Sequence, residues 1–331
     1  MKTFLKIFMG IVLLLALVIG GGVVYLSTAF PKVGPASDLK IKTTPSLLER
    51  GRYLVHNVTA CFSCHANHDL NRYGAPMTPG TLGAGQEAWG PELGMPGTIT
   101  FPNITPHYLG DWTDGEILRA MTCGVSKDGR ALPPMMPYDA YKHLSVEDAH
   151  AIIAYIRTLP SIESEHGPSE LIFPLNFIFS TLPADNELVA STPQKGTVDY
   201  GKYLTHVGGC IVCHTPLTEQ GGPDFERTFE GGHPFIMHTG GITYSANITP
   251  DNETGLGKWT SEQFVAKFAA YRNQKAMARP VAQNEYNTPM PWYTYANMTD
   301  EDLAAIFSYL QSLPAKKHEI EKFDPDGKLE H

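Results

Sequence analysis

The stretch Cys61-Phe62-Ser63-Cys64-His65 recurs with identical spacing as Cys210-Ile211-Val212-Cys213-His214. In a Cys-x-x-Cys-His segment, both cysteines can form thioethers with the vinyl groups of a haem, and the histidine then binds the iron from one side. With 5 cysteines and 13 histidines among 331 residues, only ~0.003 accidental matches are expected. The sequence therefore predicts two covalently bound haem c groups, held by Cys61, Cys64, Cys210 and Cys213, with His65 and His214 as iron ligands.

Two other uses of paired cysteines fit this pattern less well. A zinc ribbon would bring both Cys-x-x-Cys pairs to one metal ion, and neither pair would then need the histidine that follows it. A thioredoxin-like dithiol would need a βαβ setting, which neither flank indicates.

The chain contains an internal repeat, and each half carries one motif. The stretch 50–56 before the first motif resembles 200–206 before the second. Three further pairs follow in the same order: Asn103-Ile104-Thr105-Pro106 with Asn247-Ile248-Thr249-Pro250, Trp112-Thr113 with Trp259-Thr260, and Met136-Pro137-Tyr138 with Met290-Pro291-Trp292.

Each half ends in a predicted amphipathic helix. Its apolar positions have the i, i+3, i+4, i+7 spacing of a buried stripe. They are Ala149, Ile152, Ile153, Ile156 and Leu159 in one half, and Leu303, Ile306, Phe307, Leu310 and Leu313 in the other. Ser145-x-x-Asp148 and Thr299-x-x-Asp302 are matching N-cap boxes. Gly51 and Gly201, in the first helix of each half, predict a close helix crossing, with Tyr155 and Tyr309 as candidate partners or as ordinary interface tyrosines.

The pattern predicts an all-α protein, because neither half has the alternating strands of a β or α/β domain. The expected division is a membrane anchor at 1–30, a linker at 31–44, haem domains at 45–160 and 195–315, an interdomain linker at 161–194, and a tail at 316–331. The linker contains an apolar stretch, 171–179, for which a plain strap, a domain contact and a contact with the bilayer or a partner all remain open. Leu329-Glu330-His331 resembles the start of a histidine tag.

Ile7 to Leu26 is a run of twenty residues without a charge, about 30 Å long as a helix. It predicts a membrane anchor; a cleaved signal peptide is the alternative, since Ser27-Thr28-Ala29 loosely resembles a cleavage site. Lys2 and Lys6 precede the run, so the rest of the chain is expected on the outer, periplasmic side of a bacterial cytoplasmic membrane. Haem attachment of this kind takes place on that side.

A methionine in a Pro-rich loop follows each motif and is the candidate second axial ligand. Met136 and Met290 occupy equivalent positions, each before a proline and an aromatic residue. Met135 is a competing candidate for the first haem, but it has no counterpart in the second half. Histidine and methionine together raise the reduction potential and leave no open iron site, which is typical of an electron carrier.

Three other side chains are alternative ligands. His56 and His206 precede the haem histidines by nine and eight residues and could bind iron, face solvent or meet a propionate. Cys123 is the one cysteine outside the motifs. It is either a buried small residue or a reactive or ligating thiol.

The formal net charge of −9 argues against nucleic acid as a partner and favours neutral or cationic proteins. Redox partners are therefore expected to be proteins, such as a dehydrogenase, another cytochrome or a terminal oxidase.

The order Cys-x-x-Cys-His, Asn-Ile-Thr-Pro, Trp, Met-Pro-Tyr or Met-Pro-Trp, and a capped helix ending in Leu-Pro resembles the cytochrome c subunits of membrane-bound bacterial alcohol, gluconate and aldehyde dehydrogenases. The similarity covers roughly 45–160 and 195–315. It implies class I cytochrome c folds and electron transfer from a dehydrogenase towards the respiratory chain. Those subunits commonly have three haem domains, whereas this chain has two. Cys123-Gly124 stands where an arginine-x-glycine pattern is expected.

Three functions compete. The first is a membrane-tethered di-haem electron carrier, itself no enzyme. The second is a di-haem enzyme of the peroxidase or thiosulfate dehydrogenase type, which would need an open or thiolate-bound iron; Cys123 is its only support in the sequence. The third is an assembly or sensor module, and no signalling domain accompanies the two motifs.

Overall fold

The computed structural model describes residues 2–219, 221–273 and 279–327. Its helices are α1 Lys2–Ala29, α2 Pro45–Tyr53, α3 Pro106–Leu109, α4 Asp114–Cys123, α5 Tyr138–Tyr141, α6 Val146–Ile156, α7 Leu175–Ser180, α8 Val198–Val207, α9 Cys210–Cys213, α10 Ser261–Ala269, α11 Trp292–Tyr295 and α12 Asp300–Gln311. Short 3-10 turns cover Cys61–Ser63, Pro91–Leu93 and Phe225–Arg227, and a π-helical turn covers Leu54–Val58. The candidate tag residues 329–331 lie outside the described part.

Six short strands accompany the helices in the described ranges: β1 Gln86–Trp89, β2 Gly97–Phe101, β3 Glu170–Leu171, β4 Pro234–Ile236, β5 Ile242–Tyr244 and β6 Phe323–Asp324. They form two antiparallel three-stranded sheets in the orders β1-β2-β3 and β4-β5-β6. The expectation of an all-α fold is therefore not confirmed. Each third strand comes from chain beyond the last helix of its half, as in the pairing of Thr98 with Glu170 and of Thr243 with Phe323.

Each half is built on a crossing between its first and last long helices, α2 with α6 and α8 with α12. A Cβ atom at Gly51 would overlap the carbonyl oxygen of Ala151, and one at Gly201 would overlap that of Ala305. The close crossing predicted at both glycines is confirmed. Tyr155 is a partner of Gly51, with its Cβ 2.7 Å from the position a Cβ would take, whereas the closest atoms to Gly201 belong to Ala305 and its neighbour rather than to Tyr309.

The helix starts follow the repeated capping residues. Ser145 and Thr299 accept from the backbone N–H of Asp148 and Asp302, both at 3.1 Å, so both are confirmed as the N-caps of α6 and α12. The N–H of each cap residue donates to a tyrosine hydroxyl and not to the aspartate of the predicted box. The threonine of each Trp-Thr pair caps α4 or α10 in the same way, with a reciprocal capping box.

The π-helical turn marks the main local difference between the two halves. Cys61 comes ten positions after Gly51, whereas Cys210 comes only nine positions after Gly201. The extra residue is absorbed by the wider turn at Leu54–Val58, whereas α8 continues without interruption. Both glycines therefore lie at their helix crossings, and the two Cys-x-x-Cys-His motifs occupy equivalent positions in the two halves.

Buried residues of the two halves form one continuous apolar cluster, including Leu54 and Ile153 from the first half and Leu204 and Leu303 from the second. The interface has a reciprocal pattern. Tyr53 donates to Asp302 at 2.5 Å, and its counterpart Tyr203 donates to Asp148 at 2.7 Å. Each tyrosine oxygen also accepts the backbone N–H of the opposite helix cap, at 3.1 and 3.2 Å. The two halves therefore pack with approximate twofold symmetry.

One helix of the described part is long and apolar enough to cross a membrane, over Thr3–Ala29. By length and composition it fits a membrane anchor and a signal sequence equally.

Candidate functional site

The two Cys-x-x-Cys-His segments adopt the same local structure. Each follows a residue in the left-handed region, Ala60 at φ 51° and Gly209 at φ 69°. The segment then makes one helical turn, in which the histidine N–H bonds the carbonyl of the first cysteine at 3.0 Å in both halves. Residues at i, i+3 and i+4 share one face of such a turn, so both cysteines and the histidine of each motif lie on one side.

Burial raises the pKa of all four motif thiols, to about 11 for Cys61 and Cys213 and to about 12 for Cys64 and Cys210. Neutral thiols suit thioether formation with an apolar macrocycle better than they suit thiolate binding of a bare metal ion. Across the described ranges, no group of three or more His, Cys, Asp or Glu residues is arranged to hold a metal ion. The zinc alternative finds no support in this geometry.

Both motif histidines point one ring nitrogen at a backbone carbonyl. Nδ1 of His65 lies 2.8 Å from the carbonyl oxygen of Pro102, and Nδ1 of His214 lies 2.7 Å from that of Ala246. Because a carbonyl only accepts, Nδ1 carries the proton and Nε2 keeps a free lone pair. Burial lowers the pKa of both histidines, which also favours the neutral form that binds iron. A carbonyl that accepts from Nδ1 in this way fixes the orientation of the ring and makes Nε2 a stronger ligand.

The accepting carbonyls belong to the residues just before the two Asn-Ile-Thr-Pro segments, which explains that repeat. Oδ1 of Asn103 accepts from the N–H and the hydroxyl of Thr105, at 2.8 and 2.7 Å. Asn247 and Thr249 repeat both bonds, at 2.9 and 2.8 Å. All four side chains are buried. Each asparagine thus folds the loop that presents the carbonyl to the histidine.

The asparagine amides also hold the chain that follows the last helix of each half. Nδ2 of Asn103 donates to the carbonyl of Ile162 at 2.7 Å, and Nδ2 of Asn247 donates to that of Lys316, also at 2.7 Å. These positions differ by 154 residues (316 − 162), the same offset as between the last helices. The structural repeat therefore continues past each final helix into the third strands.

Two tyrosines connect the methionine loops to the Cys-x-x-Cys-His motifs, a role that was not predicted from the sequence. Tyr141 donates from its hydroxyl to the carbonyl of Thr59, and Tyr295 donates to that of Gly208 at 2.5 Å. Each accepting residue lies two positions before the first motif cysteine. The signal was present in the repeat, because both tyrosines stand five residues after the aligned methionine.

Met136 and Met290 lie in loops of the same shape. In both, the aromatic residue after Met-Pro donates its backbone N–H to the methionine carbonyl at 2.8 Å. The prolines between them have similar backbone angles, φ −80° and ψ 51° in one loop and φ −78° and ψ 66° in the other. Met136 packs against the apolar core, and both methionines are half-buried.

Those aromatic residues, Tyr138 and Trp292, each bury a polar atom that has no hydrogen-bond partner in the described part of the chain, the hydroxyl oxygen of one and Nε1 of the other. They occupy equivalent positions beside the candidate ligands. Buried donors are normally paired, and a haem presents two carboxylates at its edge that can accept from them. This pair of residues is therefore compatible with a haem in each half.

The other candidate ligands contact other side chains of the protein. Nε2 of His56 lies 2.7 Å from the hydroxyl of Tyr155, and the ring of His206 packs edge-on against Tyr309. Cys123 is 4% exposed. Its sulfur lies 3.6 Å from Nδ2 of Asn186 and 3.7 Å from the hydroxyl of its neighbour Thr122.

The geometry agrees with a comparison against known families. A cytochrome c family model matches residues 48–160 and, a second time, residues 198–314. The chain belongs to the cytochrome c family.

Relatives with known roles fall in the group that the motifs suggested, so that resemblance is confirmed. The gluconate 2-dehydrogenase cytochrome c subunit of Pantoea cypripedii is 28% identical over 86% of this chain and 63% of its own length. The cytochrome c subunit of the quinone-dependent alcohol dehydrogenase of Gluconobacter oxydans is 28% identical over 82% of this chain and 55% of its own. A diheme c-type cytochrome of Cereibacter sphaeroides is 30% identical over 77% of this chain and 82% of its own. The chain thus spans a little over half the length of most of the dehydrogenase subunits that it matches.

Proposed function

We propose that this protein is a membrane-tethered di-haem cytochrome c that passes single electrons from a dehydrogenase or another respiratory donor to a downstream acceptor. The observation that carries the proposal is the pair of neutral imidazoles, each fixed through Nδ1 to a loop carbonyl, in two halves with the same motif and loop geometry. The relatives' roles as dehydrogenase subunits and as a diheme cytochrome support it. A one-electron carrier needs a firmly held haem and no substrate site, and each half offers the residues to hold one.

In this proposal, Cys61 and Cys64 bind one haem c and Cys210 and Cys213 bind the other. His65 with Met136, and His214 with Met290, are the axial ligand pairs. When bound, each haem supplies a one-electron couple at positive potential. The chain contributes the imidazole orientation and an apolar setting. Tyr141 and Tyr295 tie the two axial-ligand segments of each half together.

The proposed domains are 45–160 and 195–315, behind an anchor at 1–30 and a linker at 31–44, with 161–194 between the domains and 316–331 as the tail. The strands that 161–194 and the tail add to the small sheets support treating each as a strap on its preceding domain. An uncleaved α1 would tether the haem domains to the outer face of a bacterial cytoplasmic membrane. The uncharged run of α1 and the lysines before it support this orientation.

A test of the function uses low-temperature electron paramagnetic resonance on the detergent-purified protein, before and after addition of peroxide or thiosulfate. An electron carrier should show only low-spin haems with methionine-type signals, unchanged by either compound. A high-spin signal, or a spectrum that either compound alters, would instead indicate a catalytic haem. Mass spectrometry of the denatured chain counts the haems: the proposal requires a mass increase of two haems, reduced to one in the double variant Cys210→Ala, Cys213→Ala.

A further inference from the structure

The stretch 171–182, which includes α7, is an apolar surface segment without a single charge. Its exposed side chains are large: Phe173 is 76% exposed, Ile172 53%, Ile178 48% and Leu182 46%. Soluble surfaces scatter such residues singly, whereas a contiguous exposed cluster indicates a binding surface. The segment is too short to span a bilayer, because α7 has 6 residues.

The segment lies beside α1, and this position indicates which surface contacts it. Helix α7 packs near the C-terminal end of α1. Both line one surface cavity, with Leu26, Ser27 and Phe30 on the side of α1 and Asn176, Phe177 and Ser180 on the side of α7.

The contact between α7 and α1 also determines how deep residues 171–182 would lie in a bilayer that α1 spans. The apolar run that begins at Ile7 ends at Leu26, before the polar Ser27 and Thr28, after about 30 Å of helix, which equals the thickness of a hydrocarbon core. Tyr25 is exposed at this level, as expected for the aromatic belt of a membrane interface. Helix α7 therefore lies at the boundary between acyl chains and headgroups.

Two cationic side chains lie at or next to this cavity, beyond the end of the apolar run of α1. Arg130 lines the cavity together with Asp128, whose carboxylate lies 3.8 Å from Nε of Arg130, and Nζ of Lys32 lies 5.1 Å from the centre of the Phe30 ring. Apolar residues below and basic residues above suit a phospholipid interface, where the basic groups meet phosphates.

We propose that residues 171–182 are a second membrane contact, which inserts Phe173 and its apolar neighbours into the interfacial layer of the bilayer beside α1. The proposal rests on the proposed anchoring by α1 and adds to it a fixed orientation. A single helix would let the haem domains swivel, whereas two contacts from one domain hold that domain against the membrane. The first haem domain then lies next to the lipid surface, and its partners must approach from the remaining sides.

The test is photolabelling of the full-length protein in phosphatidylethanolamine–phosphatidylglycerol vesicles that carry a phospholipid with a diazirine in its acyl chain, followed by peptide mapping. We expect lipid adducts on α1 and on 171–182. The peptide containing Phe225 is the internal control, because this phenylalanine is 62% exposed and belongs to the second half. It should remain unlabelled.

The outcomes separate the two proposals. Adducts on α1 with none on 171–182 would overturn the second contact and leave the anchor intact, whereas no adducts on α1 would contradict the anchor and the contact that depends on it. Phe173→Glu should abolish labelling of 171–182 without changing that of α1. Because Phe173 is largely exposed, this substitution leaves the apolar core untouched, and an undiminished yield at 171–182 would also overturn the proposal.

Discussion

Replacing Asn103 by alanine removes the side chain that shapes the loop behind the first motif histidine. Two buried groups then lose their acceptor, the N–H and the hydroxyl of Thr105, and the carbonyl of Ile162, a half-buried residue, loses its amide donor. Thr105 is 0% exposed, so water cannot replace the lost acceptor. At about 1–3 kcal/mol for each orphaned buried group, Asn103→Ala should lower the free energy of unfolding by about 2–6 kcal/mol.

The second half provides a matched comparison with a different expected size. In Asn247→Ala, the N–H of Thr249 is orphaned, but the hydroxyl of Thr249 keeps the carbonyl of Lys316 as its acceptor at 3.1 Å. The cost should therefore be about half as large, about 1–3 kcal/mol. Asn71→Ala is the surface control, because Asn71 is exposed, and such substitutions usually change stability by less than about 0.5 kcal/mol.

The assay is guanidinium unfolding followed by circular dichroism and by Soret absorbance, with the potential of each haem measured on the same samples. In Asn103→Ala the loop holds the Pro102 carbonyl less firmly, which weakens its hydrogen bond with Nδ1 of His65 and makes the imidazole a weaker electron donor to iron. The substitution should therefore raise the reduction potential of the first haem alone. The reasoning is refuted if Asn103→Ala unfolds like Asn71→Ala, or if Asn247→Ala costs more than Asn103→Ala.

Three further perturbations test other parts of the account. Gly201→Ala forces α8 away from α12, because a new Cβ would lie 2.5 Å from the carbonyl carbon of Ala305. It should lower the free energy of unfolding by about 1–3 kcal/mol, measured by thermal unfolding. The control Gly167→Ala, whose new Cβ meets nothing within 4 Å, should leave stability unchanged. Met290→Ala should convert one haem of two to a form that binds cyanide, measured by titration of the Soret band, and equal cyanide binding by the unaltered protein would contradict the ligand assignment. Burial, together with the charge of Arg52, lowers the pKa of His56. The unfolded chain then binds more protons than the folded one, so stability should be full above the unfolded value of about 6.5 and fall as the pH drops below it; unfolding at pH 7 and pH 5 should show a smaller difference in His56→Gln.

The repeat made much of the fold predictable. The stripes of the last helices, their caps and the glycine crossings are local patterns, and the structure confirms them at Gly51, Gly201, Ser145 and Thr299. These predictions succeeded because each depends either on residues within one helix or on a glycine, whose missing side chain allows a second helix to approach closely.

What was missed depends on contacts between residues far apart in the sequence. Strand β3 has two residues and pairs with chain about 70 positions earlier, too short for any periodic signal. The tyrosine–aspartate bonds between the halves join residues 55 and 249 positions apart, and no motif encodes them. By contrast, the π-helical turn could have been predicted from the extra residue between Gly51 and Cys61.

The most direct test of the central claim is a potentiometric titration of the purified full-length protein, followed optically and normalised to the haem count. Two one-electron waves at positive potentials, with both haems low-spin in both oxidation states, are the result that the account predicts. A single wave, or one haem that is high-spin or titrates at low potential, would contradict a two-haem electron carrier with histidine and methionine at each iron.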